Sequence, residues 1–107
     1  MTGERVLGPS GSGTVVLELG PGAGALVLYV PAELDGAEIE ISADGATSRI
    51  HSAVRPRNVA GGTQHAAVYP GLPPGGYTIW RDSSTPGGIV HISGGRVTAA
   101  RWVMPQA

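Results

Sequence analysis

Three histidines, His51, His65 and His91, are the side chains best suited to bind a metal or to move a proton near neutral pH. Each falls in a stretch that reads as a strand, so two imidazoles on adjacent strands could share a zinc or copper ion. The chain has no Cys and no His-x-His, and no carboxylate lies beside these histidines in sequence to orient a ligating ring. Hydrogen-bonded or surface histidines are therefore expected, and no metal ligands or cofactor are assigned.

The densest basic cluster surrounds His51: Arg49, Arg55 and Arg57. Arg49, His51 and Arg55 share one strand parity and would line one face. Guanidinium forks suit carboxylates and phosphates. Arg49, His51, Arg55 and Arg57, with His65, are thus the candidate face for an anion or a protein partner. The competing expectation is ion pairing with Glu38 and Glu40 on the neighbouring strand.

Nucleophilic chemistry finds little support. Gly8-Pro9-Ser10-Gly11 is followed by Ser12, not by the glycine that a nucleophile elbow needs after one spacer. His51 and Ser52 are adjacent and point to opposite faces of a strand. Gly11-Ser12-Gly13 and Gly20–Gly24 lack the spacing and the following helix of a phosphate loop. Glu38 and Glu40 stand about 7 Å apart by strand rise. That separation suits acid–base work, but solvated outward charges are the ordinary outcome.

The elements that must position these residues are strands. Ala37–Ser42 alternates, with Ile39 and Ile41 on one face and Glu38 and Glu40 on the other, the signature of a half-buried strand. Thr14–Leu19 and Ala25–Val30 are apolar runs separated by five residues, as in a hairpin. Further strands are expected over Thr47–Arg55, Thr63–Tyr69, Tyr77–Asp82, Ile89–Ser93 and Arg96–Val103, with Pro56 ending its strand or placing it at an edge. Asp35-Gly36, Asp44-Gly45, Gly61-Gly62 and Gly94-Gly95 are turns. Pro31–Gly36 holds one helical turn at most. Eight or so short strands imply an all-β class: one small antiparallel β-sandwich of about seven to eight strands.

Composition agrees. The chain has 107 residues, enough for one core, and 41% of them are apolar. Gly and Pro number 18 and 9 and cluster between apolar runs, as turns should. Residues 1–48 hold seven acids and only Arg5, whereas residues 49–107 hold six arginines and only Asp82. A net charge of −1 therefore hides a polar molecule with an acidic front and a basic back. The basic half lacks interleaved aromatics, so no nucleic-acid partner is expected. No stretch reaches membrane-spanning length and no secretory signal is visible, so the expectation is a cytoplasmic protein with no membrane partner. Residues 1–13 read as a flexible lead-in, 14–103 as the domain and 104–107 as a tail.

The corner Leu72-Pro73-Pro74-Gly75-Gly76-Tyr77-Thr78-Ile79 resembles the L-P-P-G-x-Y-x-hydrophobic corner of prealbumin-like β-sandwiches, shared by carboxypeptidase-regulatory-like and Cna-B-like modules. Two prolines stiffen a crossing between sheets, and the glycines allow unusual dihedrals. In those families a Gly-x-Phe-x-Phe strand precedes the corner. Here His65, Ala67 and Tyr69 occupy its positions, which aims Ala67 and Tyr69 inward. Plain hydrophobicity would aim Ala66 and Val68 inward, and a bulge would satisfy both. The aim of His65 stays open.

The resemblance implies a binding, spacer or stabilising module rather than an enzyme, acting through a protein partner or self-association. The alternative is a small hydrolase with His and Arg at a subunit interface, as in the transthyretin-like 5-hydroxyisourate hydrolases. The chain lacks their Tyr-Arg-Gly-Ser and His-Val-Leu-Asp patterns, so no catalytic residue carries over. A His-based metal protein is the third reading.

Overall fold

The structure, a computed structural model, describes residues 21–102. Eight strands alternate in pairs between two sheets: β1 (Gly24–Val30), β2 (Glu38–Ala43), β3 (Ile50–Ala53), β4 (Arg55–Val59), β5 (Gly62–Leu72), β6 (Gly75–Trp80), β7 (Pro86–Ile92) and β8 (Val97–Arg101). Sheet A has the order β4-β5-β1-β8, and sheet B the order β3-β2-β6-β7. The result is a small all-β sandwich. The lead-in 1–13, the strand expected over Thr14–Leu19 and the tail 104–107 lie outside the described residues.

Side-chain period explains the layering. On β1, Leu26, Leu28 and Val30 enter the core, joined by Ala67, Tyr69 and Leu72 from β5. From sheet B, Ile39 and Ile41 of β2, Tyr77 and Ile79 of β6 and Ile92 of β7 close the core. Each large aliphatic side chain among them stabilises the fold by about 1.5–3 kcal/mol through burial. β1 is also covered on its other face. Ala25 and Val27, with Ala66 of β5, are at most 1% exposed although they stand outside that core cluster.

β1 makes a different pairing from the expected hairpin. Both its edges are filled, by β5 antiparallel and by β8 in parallel. The parallel partner arrives from across the sandwich after the Gly94-Gly95 turn, with Gly95 at φ 74°. There the chain is clamped tightly: Ala25 N–H donates to Arg96 O at 3.0 Å, and Gly95 N–H donates to Ala23 O at 2.8 Å. A Cβ on Gly24 would press into the carbonyl of Ser93 and stand 2.7 Å from Ile92 Cγ2, so this position requires glycine.

The expected strand Thr47–Arg55 is two elements. The chain bends at Val54, which is 1% exposed, and passes from β3 in sheet B to β4 in sheet A. Val54 N–H donates to Ala37 O at 2.8 Å, and Gly36 N–H donates to Val54 O at 2.9 Å. Ser52 Oγ donates to Val68 O at 2.8 Å and accepts from Val68 N–H at 3.3 Å, hooking sheet B to sheet A beside the bend. Pro56 sits within β4, which is an edge strand and so tolerates the lost donor.

The Pro-Pro corner carries the chain from β5 to β6 through Pro73 and Pro74 alone. Tyr77 Oη donates to Pro73 O at 2.7 Å and closes the corner on itself. Tyr69 Oη donates to Ile39 O at 2.6 Å, a buried bond between the two sheets. The motif's register for β5 holds: Ala67 and Tyr69 lie in the core and Val68 on the opposite face. No bulge is needed before Tyr69; the register shift comes after it, between Tyr69 and Leu72. One 3-10 turn, Ala32–Leu34, fills the expected helical position. Among the described residues no helix is long and apolar enough to cross a membrane.

Candidate functional site

The outer face of sheet B follows from the alternation of β2. With Ile39 and Ile41 inward, Glu38, Glu40 and Ser42 project outward. Register sets Glu40 beside His51 of β3, and Ser42 beside Thr78 of β6. Trp80 has the outward parity of Thr78, and its Nε1–H donates to Ser42 Oγ at 2.9 Å. Arg49 lies over the indole, its Cζ 3.8 Å from the ring centroid, while Nη1 donates to Glu40 Oε1 at 2.9 Å. His51 Nδ1 lies 3.1 Å from Glu38 Oε1. A carboxylate only accepts, so that bond requires the proton on Nδ1.

Of these residues, Glu38, Glu40, His51 and Trp80 border an open groove of about 320 Å³. Trp80 and Trp102 contribute its aromatic surface, Leu34 and Ala37 its apolar end, and Glu38, Glu40 and Asp82 three carboxylates, against the guanidinium of Arg81 in the lining and that of Arg49, bonded to Glu40. Trp102 is brought from sheet A, its backbone N–H donating to Tyr29 O at 2.7 Å just beyond β8. Asp82 orders the β6–β7 loop that forms one wall. Its Oδ1 accepts from the N–H of Ser84 at 2.9 Å and of Thr85 at 2.8 Å. Those bonds, chiefly the backbone N–H of Ser84, hold the carboxyl below the usual aspartate range.

The cluster expected from sequence is divided. Arg49 and His51 stand on the outer face of sheet B, Arg49 ion-paired with Glu40 and His51 hydrogen-bonded to Glu38. Arg55 and Arg57 stand on β4, on the outer face of sheet A, because the bend at Val54 separates them from β3. The shared parity of Arg49, His51 and Arg55 therefore does not make one face. Arg55 instead belongs to a cross-strand row, Arg55–Ala66–Tyr29–Arg101, with Arg101 Cζ 5.7 Å from the Tyr29 ring centroid. Nε of Arg57 is buried with no hydrogen-bond partner among the described residues. His65 opposes Val30 and takes the inward parity; it is half-buried, with Nε2 3.7 Å from Asp35 Oδ1.

The charge asymmetry becomes a difference between layers. The strands of sheet A carry Arg55, Arg57 and Arg101 and neither Asp nor Glu. The strands of sheet B carry Glu38 and Glu40 and no arginine.

The histidines do not converge. His51 and His91 sit on the outermost strands of sheet B, whose axes lie three strand spacings or about 14 Å apart, with a further offset along the strands because His91 pairs with Gly76, and His65 is in sheet A. Two of the three do have a carboxylate nearby, Glu38 for His51 and Asp35 for His65, which linear spacing hid. Among the described residues no three His, Cys, Asp or Glu side chains gather to hold a metal ion. His51 and Ser52 point to opposite faces as expected, Ser52 being spent on Val68. Trp80, Trp102 and Asp82 were not singled out by residue type. An outward tryptophan on a strand whose other parity is Tyr77 and Ile79 was the available signal.

Comparison of the chain with family models, with curated proteins and with solved structures returned no match.

Proposed function

We propose that this domain is a non-catalytic binding module of the prealbumin-like kind, and that its groove receives a basic side chain presented by a protein partner. The observation that carries the reading is the pairing of two indoles with Glu38, Glu40 and Asp82 in one groove. Indole faces and carboxylates together favour a guanidinium or ammonium group. Arg49 already makes this contact from within the chain, stacked on Trp80 and bonded to Glu40. Glu38 remains 65% exposed, with only the exposed His51 beside it, and is open to a second cation. The prealbumin-like assignment is supported by the two-residue Pro73-Pro74 crossing that Tyr77 locks. The proposal includes a cytoplasmic setting, where a chain without cysteine needs no oxidising compartment.

Trp80 and Trp102 are the only tryptophans in the chain, so intrinsic fluorescence reports on the groove directly. Titration with short peptides containing Arg or Lys should give saturable quenching that weakens with salt and in Glu38→Gln. Equal responses to basic and acidic peptides, or none from either, would refute the reading.

A further inference from the structure

We propose that β7 pairs antiparallel with β7 of a second copy of this chain about a two-fold axis at Ile89. This goes beyond the groove and does not depend on it. β7 is an edge of sheet B, so one row of its backbone N–H and C=O groups has no ladder among the described residues. The other three edges oppose pairing along their length, whereas on β7 the one bulge, at Gly87 between the Gly88–Ile79 and Pro86–Trp80 pairs, leaves Gly88 to Ile92 regular. β4 has Arg55, Pro56 and Arg57; β8 ends in Arg101; β3 has only four residues. β7 has seven residues, none charged, and its one proline is at the first position. Two copies of β4 would set arginine against arginine, whereas two copies of β7 meet no like charge.

The sequence of β7 is also self-complementary in size. Pro86-Gly87-Gly88 makes its first half and Val90-His91-Ile92 its second, about Ile89 at the centre. Antiparallel pairing at Ile89 sets Val90 of each copy against Gly88 of the other. A Cβ built on Gly88 would meet nothing within 4 Å, so the space for Val90 exists. Ile89 lies outward beside Thr78 and is 80% exposed, the most exposed of the large hydrophobic residues in the described chain. In the pair it would stand against its own counterpart, in the close cross-strand contact that apolar side chains favour. An isologous two-fold contact of this kind closes on itself and makes a dimer, not a fibre. The two sheets B become one eight-stranded sheet with both grooves on the same face.

Sedimentation velocity on the full chain tests this. The wild type should be a dimer, and Ile89→Lys and Ile89→Glu should each be monomers, with the dissociation constant raised at least about tenfold. Mixing the two variants should restore a 1:1 dimer, because position 89 faces itself. Circular dichroism of each variant should match wild type, since the substituted side chain is solvent-exposed in the single chain, while only the wild type should have a Tm that rises with protein concentration. As a second readout, Ile89→Cys introduces the chain's only cysteine and should form a disulfide dimer faster than Ala46→Cys on an exposed turn. A wild type that is monomeric at millimolar concentration overturns the proposal, whether or not β7 binds another protein. So does Ile89→Lys that remains dimeric, a mixture that stays monomeric, or equal crosslinking at positions 89 and 46.

Discussion

Removing one oxygen from the core tests how the two sheets are held together. Tyr69 is 1% exposed, and its hydroxyl donates at 2.6 Å to the carbonyl of Ile39 on the facing sheet. The β2–β6 ladder covers only Ile41 to Ala43, so on that edge Ile39 lies beyond its end, while on the other edge β3 sets Ser52 opposite it. Tyr69→Phe keeps the ring and leaves that carbonyl without its hydroxyl donor in a dry place. An unsatisfied buried acceptor costs about 1–3 kcal/mol, which for a domain of this size lowers Tm by roughly 5–15 °C. Urea denaturation should move the midpoint with the slope unchanged. Tyr77→Phe is the internal control. Its acceptor, Pro73 O, belongs to an exposed residue that water can reach, so its loss should be only about 0.5–1 kcal/mol. Burial also pushes the Tyr69 hydroxyl far above the ordinary tyrosine range. The folded tyrosine then keeps its proton where the unfolded one, with a pKa near 10, loses it. The unfolded state binds fewer protons there, so stability falls as pH rises above about 10, at about 1.4 kcal/mol per pH unit for this tyrosine. Tyr69→Phe should remove that share of the alkaline loss. A loss below about 0.5 kcal/mol in Tyr69→Phe, or an unchanged alkaline limb, would refute the reasoning.

Other outcomes follow from single contacts. Gly24→Ala drives a methyl into the Ser93 carbonyl and Ile92 and should cost about 1–3 kcal/mol in urea unfolding, because backbone cannot retreat as a side chain can; a neutral result would mean the β1–β8 start is loose. Asp82 is held ionised by the N–H groups of Ser84 and Thr85, so the order of the loop is present above the usual aspartate range and is lost as pH falls through its lowered value. The protection factors of the Ser84 and Thr85 amides, taken relative to intrinsic exchange at each pH, should fall in acid, and in Asp82→Ala they should already be low at neutral pH. Ser52→Ala removes the hook from β3 to Val68 and should cost about 0.5–1.5 kcal/mol in thermal melts, whereas no change would mean that the bend at Val54 alone joins the sheets there.

Much of the fold was legible because period two is a local signal. Glu38-Ile39-Glu40-Ile41 has the orientation its alternation implies, and the Pro73-Pro74 corner correctly aimed Tyr69 inward. Hydrophobicity misjudged β5 because that strand lies inside sheet A and is covered on both faces, so Ala66 is as buried as Ala67. The bend at Val54 was not legible. The alternation runs through it unbroken, and what turns the chain is a pair of bonds to Ala37 and Gly36, far away in sequence. That one bend divided the basic cluster, sending Arg49 and His51 to one layer and Arg55 and Arg57 to the other. The pairing of Arg49 and His51 with Glu40 and Glu38 was foreseeable from strand adjacency. The groove was not, because Trp102 reaches it through the parallel β1–β8 pairing, which no local pattern announces.

The groove reading is tested most directly by following the two indole N–H resonances of Trp80 and Trp102 during titration with an arginine-containing peptide. The account predicts that both indoles move together with the backbone amides of Glu38 to Glu40 and His51, saturably, and that Glu38→Gln weakens the effect. Shifts confined to sheet A, around Arg55 and Arg101, or no shift at either indole, would contradict it.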